Sequence, residues 1–193
     1  MPSVDQEETI FTIPADVLQR LEDDVRNVQS SVEIQYLYNK LKRMGPWSRE
    51  ELNIELIIDI DSLHSAIVVA YGRIFTDGPR KVSKSKIPSD LRHIHDELYE
   101  LRNKRYAHND EHASIATRLD IDFDGEKVLL KTGYTLNMTL GAPASWEPLF
   151  EWLNQYLRTQ IDKQLAALTV RTGYKWEQPS GPPPSWVDYP EHS

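Results

Sequence analysis

The sequence predicts a mainly α-helical fold, an up-down bundle of four helices with a β-hairpin inserted before the last helix. Three long segments before residue 110 repeat apolar residues at spacings of three and four, the period of an amphipathic helix. The period then changes to two around Asp124-Gly125, a strong hairpin signal, and a fourth helical pattern follows. Short connections between the early helices favour antiparallel neighbours.

The first helix is predicted from Pro14 to about Arg43, because proline is tolerated in a first turn. The segment "VEIQYLY" also alternates like a strand, and Ser30 with Glu33 forms a capping-box pattern that could restart the helix. A break near Ser30 is therefore left open. The helical spacing is carried by Val17, Leu18, Leu21, Val25, Val28 and Val32.

The second helix is predicted to follow the loop "MGPWS", with Ser48 and Glu51 as a second capping box. Its apolar residues cover so much of the circumference that a central position in the bundle is expected. Gly78 and Pro79 end it, because glycine suits a left-handed cap and proline cannot continue the helix. The stripe consists of Leu52, Leu56, Leu63, Ile67, Tyr71 and Ile74.

The third helix is predicted to start at "PSD", residues 88–90, and to end within "LRNKRYAHND". Its inward residues are expected to be Leu91, Ile94, Leu98 and Leu101. Among the remaining histidines, His64 is expected to be a hydrogen-bonded core residue, whereas His93 and His95 are expected on the surface.

A β insertion is predicted at about 114–140, with strands on both sides of Asp124-Gly125. Tyr134, Leu136 and Met138 are candidates for a third strand. Ser145 is then expected to cap a helix from Trp146 to about Val170.

One domain at 13–170 is predicted, between a flexible acidic arm at 1–12 and a Pro-rich tail at 171–193 that Trp186 or Tyr189 could pin. The chain has no cysteine, which excludes disulfides, thiol catalysis and cysteine-ligated zinc. No signal peptide or membrane-spanning stretch is visible, so a soluble cytoplasmic protein is expected.

The formal net charge is −8, yet positive charge is concentrated in one region. From Pro79 to His108 there are eight Lys or Arg and four Asp or Glu, a net of +4, which leaves −12 for the rest of the chain. Any site for a polyanion must therefore be local. Part of the clustering has a simpler explanation, because each cation near a helix C-terminus gains roughly 0.3–1 kcal/mol from the helix dipole.

Within this region Arg102, Asn103 and His108 are candidate functional residues. Arginine holds a phosphate bidentately, and histidine can transfer a proton near neutral pH. On a continuous helix Arg102 and His108 would point roughly 120° apart. We therefore expect the helix to tighten or end near Ala107, where "HND" favours a turn.

The stretch "RNKRYAH" resembles the Arg-polar-x(3–5)-His signature of HEPN domains, the higher eukaryote and prokaryote nucleotide-binding family. The surrounding "ELYELRNKRYAHND" and the earlier "AYGRIFTD" resemble the abortive-infection AbiU branch. The resemblance covers residues 14–170 and implies a metal-independent endoribonuclease of a defence or toxin–antitoxin type system. It implies that His108 is the acid/base residue, that Arg102 stabilises the transition state and that Asn103 orients the site.

Cleavage by a neighbouring 2′-hydroxyl needs both a base and an acid, and the motif offers one histidine. An isologous homodimer with two facing motifs would supply both groups and is expected, whereas a monomer would need Tyr106 or His112 as the second group. An antitoxin or the product of a neighbouring gene is a further expected partner, and no cofactor or metal is expected. Residues expected to bind RNA or phosphate are Lys104, Arg105, Tyr106 and Arg73.

Two alternatives remain open from the sequence. A non-catalytic HEPN-like module that binds nucleotide or protein could keep Arg102 for phosphate. More remotely, His108, Glu111 and His112 match the H-x-x-E-H pattern of zinc peptidases, which would need helix through His112 and a third ligand.

Overall fold

The structure is a computed structural model, and it describes residues 13–48, 50–76, 80–107, 115–123, 125–136 and 140–178. For residues 105–107, 115–118 and 132–136 it describes the backbone alone. The predicted mainly helical fold with a β-hairpin before the last helix is confirmed. The elements are α1 (Ala15–Met44), α2 (Ile54–Thr76), α3 (Arg92–Glu100), a π-helical segment (Leu101–Ala107), β1 (Ile115–Phe123), β2 (Val128–Leu136) and α4 (Glu147–Thr172).

Helix α1 is continuous from Ala15 to Met44, so the break considered near Ser30 does not occur. Ile34, Tyr38 and Leu41 are buried, and their spacing of four and three places them on one helical face. Burial on that face overrides the strand-like alternation of the same segment.

Helix α2 begins at Ile54, later than the pattern of Ser48 and Glu51 predicted. The Ser48 backbone N–H does donate to the Glu51 carboxylate at 2.6 Å. The residue that caps the helix is Asn53, whose Oδ1 accepts a hydrogen bond from the Leu56 N–H at 2.9 Å. The predicted central position of α2 is confirmed by its buried residues, Ile60, His64, Ile67, Val68, Ala70, Tyr71, Gly72, Ile74 and Phe75.

Helix α1 runs antiparallel to α4. Lys42, near the end of α1, donates to Glu147 at the start of α4 at 2.6 Å. Val17 and Leu21, near the start of α1, pack against a cluster from the second half of α4, formed by Ile161, Leu165 and Leu168. The main core lies at the other end, where α1, α2, α3 and α4 all contribute buried side chains.

Helix α4 is not capped by Ser145. A 3-10 turn, Ala144–Trp146, leads into the helix, and no side chain caps its start. Its end is formed by Gly173, which adopts φ +74° and donates its N–H to the Thr169 carbonyl at 2.9 Å. Beyond it Trp176 donates its indole N–H to Thr172 Oγ1 at 2.9 Å, while Trp186 and Tyr189 lie outside the described residues.

The β-hairpin pairs Ile115 with Leu136 at its base and Phe123 with Val128 beside the turn. Among the described residues there is no third strand, since Tyr134 and Leu136 continue β2 and Met138 lies outside the described part. One face of the hairpin exposes apolar side chains, Leu119, Ile121, Phe123, Val128 and Leu130. Within the part of the chain that the structure describes, no helix has the length and hydropathy needed to cross a membrane.

The two candidate caps give a test of the fold. Asn53→Ala removes the acceptor for the Leu56 N–H and should lower the free energy of unfolding by about 1 kcal/mol. Ser145→Ala, the matched control, should change it by less than about 0.5 kcal/mol, because this side chain caps nothing. Urea denaturation followed by circular dichroism measures both. Equal losses for the two variants would contradict the assignment of the caps.

Candidate functional site

Helix α3 changes its winding at Leu101, where the chain enters the π-helical segment. The expected tightening of the helix does not occur, because the turn widens instead; the π-helical segment extends to Ala107, and the residues that follow lie outside the described residues. A wider turn brings more residues to one face, and here Leu101 packs against the core while Arg102 contacts α2. π-helical turns are rare and frequently occur at functional sites.

The side chain of Arg102 lies directly on α2 at Gly72. A Cβ atom placed on Gly72 would lie 2.6 Å from Cδ and 2.7 Å from Nε of Arg102. Only a residue without a side chain permits this approach. Gly72 itself is buried, and Arg102 is half-buried. The packing restricts the long arginine side chain before any ligand is bound.

The Arg102 guanidinium is oriented by its neighbour, because Nη1 donates to Asn103 Oδ1 at 3.0 Å. Asn103 is neutral, and none of the described carboxylates forms an ion pair with Arg102. Within the described part of the chain, its positive charge thus has no compensating carboxylate, and this bond leaves several guanidinium N–H donors unused. Such an arrangement suits a phosphate group.

Two other cations predicted to bind phosphate are engaged on the surface. Lys104 donates to Glu100 at 2.6 Å, and Arg73, the neighbour of Gly72, lies 3.7 Å from Glu33. More than half of each cationic side chain is exposed, so these pairs contribute little stability and can exchange partners. The structure thus brings Arg102 and Asn103 together and directs Arg73 and Lys104 to surface carboxylates.

The remaining predicted site residues are only partly covered by the structure. Arg105 and Tyr106 belong to the π-helical segment by their backbone. His108 lies outside the described residues, as do Glu111 and His112, so the zinc alternative stays untested. Among the described residues, no group of three His, Asp or Glu side chains could hold a metal ion.

Of the two buried histidines among the described residues, one was predicted correctly and the other was not. His64 is a core residue as predicted, with Nε2 at 2.8 Å from the Gly141 carbonyl. The surface position predicted for His95 is wrong, because His95 is buried and its Nδ1 lies 2.7 Å from the Tyr71 hydroxyl. The signal was present, since His95 falls on the i, i+3, i+4, i+7 face defined by Leu91, Ile94, His95 and Leu98.

A partly buried ion pair, with its carboxylate buried, was also missed by the sequence analysis. Arg80 donates through Nε and Nη2 to the two carboxylate oxygens of Asp24, at 2.8 and 2.9 Å. Asn27 adds a bond from Nδ2 to the Arg80 carbonyl at 3.0 Å. The partners are far apart in sequence, so no local pattern could reveal the pair. It fixes the loop after α2 against α1.

Comparison with known proteins adds no relative. No family model matches the chain, and neither a curated protein nor a solved structure was found similar to it.

The contact between Gly72 and Arg102 can be measured as a coupling energy. In the Arg102→Ala background, Gly72→Ala should stabilise the protein by up to about 1 kcal/mol, the usual gain of alanine over glycine in a helix. With Arg102 present, the new methyl group must displace the arginine, and that gain should be reduced by at least about 0.5 kcal/mol. Urea denaturation of the four proteins in the cycle measures the difference. A coupling of zero would show that Arg102 does not lie on Gly72.

The bond between Tyr71 and His95 predicts a dependence on pH. Burial lowers the pKa of His95, as does Lys84, against an opposing effect of Asp96, and burial raises the pKa of Tyr71. As the pH falls through about 6.5, His95 gains a proton in the unfolded chain before it does so in the fold. Stability from this group is therefore present above about pH 6.5 and decreases below it, by at most about 1.4 kcal/mol per pH unit.

His95→Gln isolates this effect, because the glutamine amide can still accept the Tyr71 hydroxyl. The difference in unfolding free energy between the natural protein and His95→Gln should shrink as the pH is lowered from about 7.5 to about 5. His93→Gln is an exposed control two residues away, and its unfolding free energy should change with pH in the same way as that of the natural protein. A difference for His95→Gln that does not change with pH would contradict the buried neutral histidine.

Proposed function

We propose that this protein is a HEPN-like metal-independent endoribonuclease of a defence or toxin–antitoxin type system. The observation that supports it best is the state of Arg102: its side chain lies on Gly72, Asn103 orients its guanidinium, and no described carboxylate neutralises it. A fixed and uncompensated positive charge is what stabilises charge developing on a phosphoryl group. The four-helix fold, with Arg102 just after α3, is compatible with the HEPN resemblance of the sequence.

The proposed reaction uses the RNA itself as the nucleophile. A base removes the proton of the 2′-hydroxyl, whose oxygen attacks the adjacent phosphorus. The bond from phosphorus to the 5′-oxygen then breaks, and an acid protonates the leaving oxygen. The products are a 2′,3′-cyclic phosphate and a free 5′-hydroxyl. His108 carries the proton transfer, Arg102 contacts the phosphoryl oxygens, and Asn103 keeps Arg102 in position.

The reaction requires two proton-transfer groups, which an isologous homodimer supplies by bringing two copies of His108 to one phosphate. The exposed apolar face of the hairpin is a suitable protein-contact surface, since contiguous exposed apolar residues mark interaction sites. Such a surface would also suit an antitoxin or the product of a neighbouring gene. Arg73, Lys104, Arg105 and Tyr106 would contact phosphates or bases that flank the cleaved bond.

Substitutions at the motif test this proposal. His108→Ala should abolish cleavage of single-stranded RNA, because it removes the proton-transfer group. Arg102→Ala should reduce the rate by roughly 10²–10³, the scale for removing one stabiliser of developing charge. Cleavage of a labelled oligonucleotide by the purified protein measures both, and mass spectrometry should identify a 2′,3′-cyclic phosphate.

Three controls define the outcome. His93 lies on the exposed side of α3, so the His93→Ala variant should retain full activity. EDTA should leave the rate unchanged, and DNA of the same sequence should survive because it has no 2′-hydroxyl. Full activity of His108→Ala would refute the catalytic role. RNA binding that requires Arg102, without any cleavage, would instead establish the non-catalytic binding module.

A further inference from the structure

A groove runs between α1, α4 and the loop after α2, and it consists of two adjoining clefts of about 250 and about 220 Å³. We call it the α1–α4 groove. Arg80 lines both clefts, so the two meet at its side chain. None of the lining residues belongs to α3 or the π-helical segment, which makes the groove distinct from the residues around Arg102.

Cations line the whole length of the α1–α4 groove. Lys81 and Lys86 lie in the first cleft, and Arg20 and Arg171 lie in the second. With Arg80 between them, five cations and one carboxylate, Asp24, line the two clefts. That carboxylate is fully engaged, because both of its oxygens accept hydrogen bonds from Arg80. In a protein with a net charge of −8, such a concentration is a local site for an anion.

The donors in the groove remain available for a ligand. Asp24 occupies two N–H groups of Arg80 and leaves the others, while it holds the guanidinium at a fixed place. Arg20 pairs with Asp16 at 3.5 Å, but both side chains are more than half exposed and the pair is weak. In the second cleft the amide nitrogen of Gln164 is buried and has no hydrogen-bond partner among the described residues. A buried donor without a partner is costly unless a ligand accepts its hydrogen bond.

The dimensions favour an extended ligand. From Val17 in the second cleft to Asn27 in the first, α1 advances about 15 Å. A single phosphate group reaches the cations of one cleft, whereas a strand of successive phosphodiesters reaches those of both. Apolar surface suited to bases adjoins the cations, including Leu168 and Tyr156, whose ring stacks on Trp152 at 5.2 Å. Cationic grooves with aromatic side chains are typical of single-strand binding.

We propose that the α1–α4 groove binds the sugar-phosphate backbone of single-stranded RNA, with Lys81 and Lys86 on one part of the strand and Arg20 and Arg171 on another. Arg80 holds the phosphate between them. That the strand is RNA rests on the proposed ribonuclease function; that it is a polyanion rests on the groove alone. The groove holds the substrate at a place separate from the cleavage chemistry.

The test is a titration of a fluorescent single-stranded RNA of twelve nucleotides, followed by anisotropy, with all proteins in a His108→Ala background to prevent cleavage. Two double variants neutralise the ends of the groove, Arg20→Gln with Arg171→Gln and Lys81→Gln with Lys86→Gln. Arg80 is kept, because its removal would leave the buried Asp24 carboxylate unpaired. The control is Lys40→Gln with Arg158→Gln, two exposed cations of α1 and α4 that do not line the groove.

Each groove variant should bind RNA at least about tenfold more weakly at low salt, and the slope of log affinity against log salt should flatten by about 1.4, that is about 0.7 for each of two lost phosphate contacts. The control should bind within about twofold of its parent, because it removes the same charge from elsewhere. Unchanged affinity in both groove variants, an equal loss in the control, or no RNA binding by the parent protein would overturn the proposal.

The same variants with His108 present separate this proposal from the proposed function. Normal binding and cleavage by the groove variants would reject the groove and leave the ribonuclease intact. RNA binding that depends on the groove, in a protein that cleaves nothing, would support the groove and reject the ribonuclease. Both proposals are supported if the groove variants raise KM and leave kcat within about twofold, since the groove binds substrate and transition state alike.

Discussion

The hydrogen bond between Tyr71 and His95 is the contact on which the arrangement of the helices depends. Tyr71 is fully buried in the central helix and touches rings of both α3 and α4, at His95 and Phe150. The bond satisfies two polar groups that would otherwise be costly in the core, and it fixes α3 on α2 at one register. The next residue along α2 is Gly72, where Arg102 from the following turns comes to rest. The position of the candidate site therefore follows from a contact in the core.

The protein fixes two arginines in two different ways, and the difference decides what each can do. The Asp24 carboxylate fixes the position of the Arg80 guanidinium and compensates much of its charge. Arg102 is restrained by close packing on a glycine and by a hydrogen bond to a neutral amide, and none of the described carboxylates compensates its charge. The ion pair suits Arg80 to act as a fixed hydrogen-bond donor in the α1–α4 groove, where the other cations attract the anion. The arrangement of Arg102 suits a group that meets charge developing on a reacting phosphate.

Helix periodicity and hairpin signals in the sequence predicted the element types and their order, because burial of one face imposes those periods directly. Other features depend on contacts between distant residues, and these were missed: the pair of Asp24 and Arg80, the packing of Arg102 on Gly72, and the π-helical winding. The capping-box pattern of Ser48 and Glu51 lies just before Asn53 and predicts an earlier start for α2 than Asn53 provides. His95 is predicted on the surface together with His93, two residues away, although the spacing of Leu91, Ile94 and Leu98 places it on the inward face. The catalytic role of His108 remains a prediction.

The π-helical segment also has a consequence for the length of the chain. A π-helical turn spaces its hydrogen-bonded residues one position further apart than an α-helical turn, so it accommodates an additional residue within the helix. Each residue of an α-helix turns the chain by about 100°. Deleting one uncharged residue from Leu101–Ala107 could restore α-helical winding without removing any charged side chain. The deletion would also change the direction in which the chain leaves the segment. The number of residues in this segment is thus as much a determinant of the site as their identity.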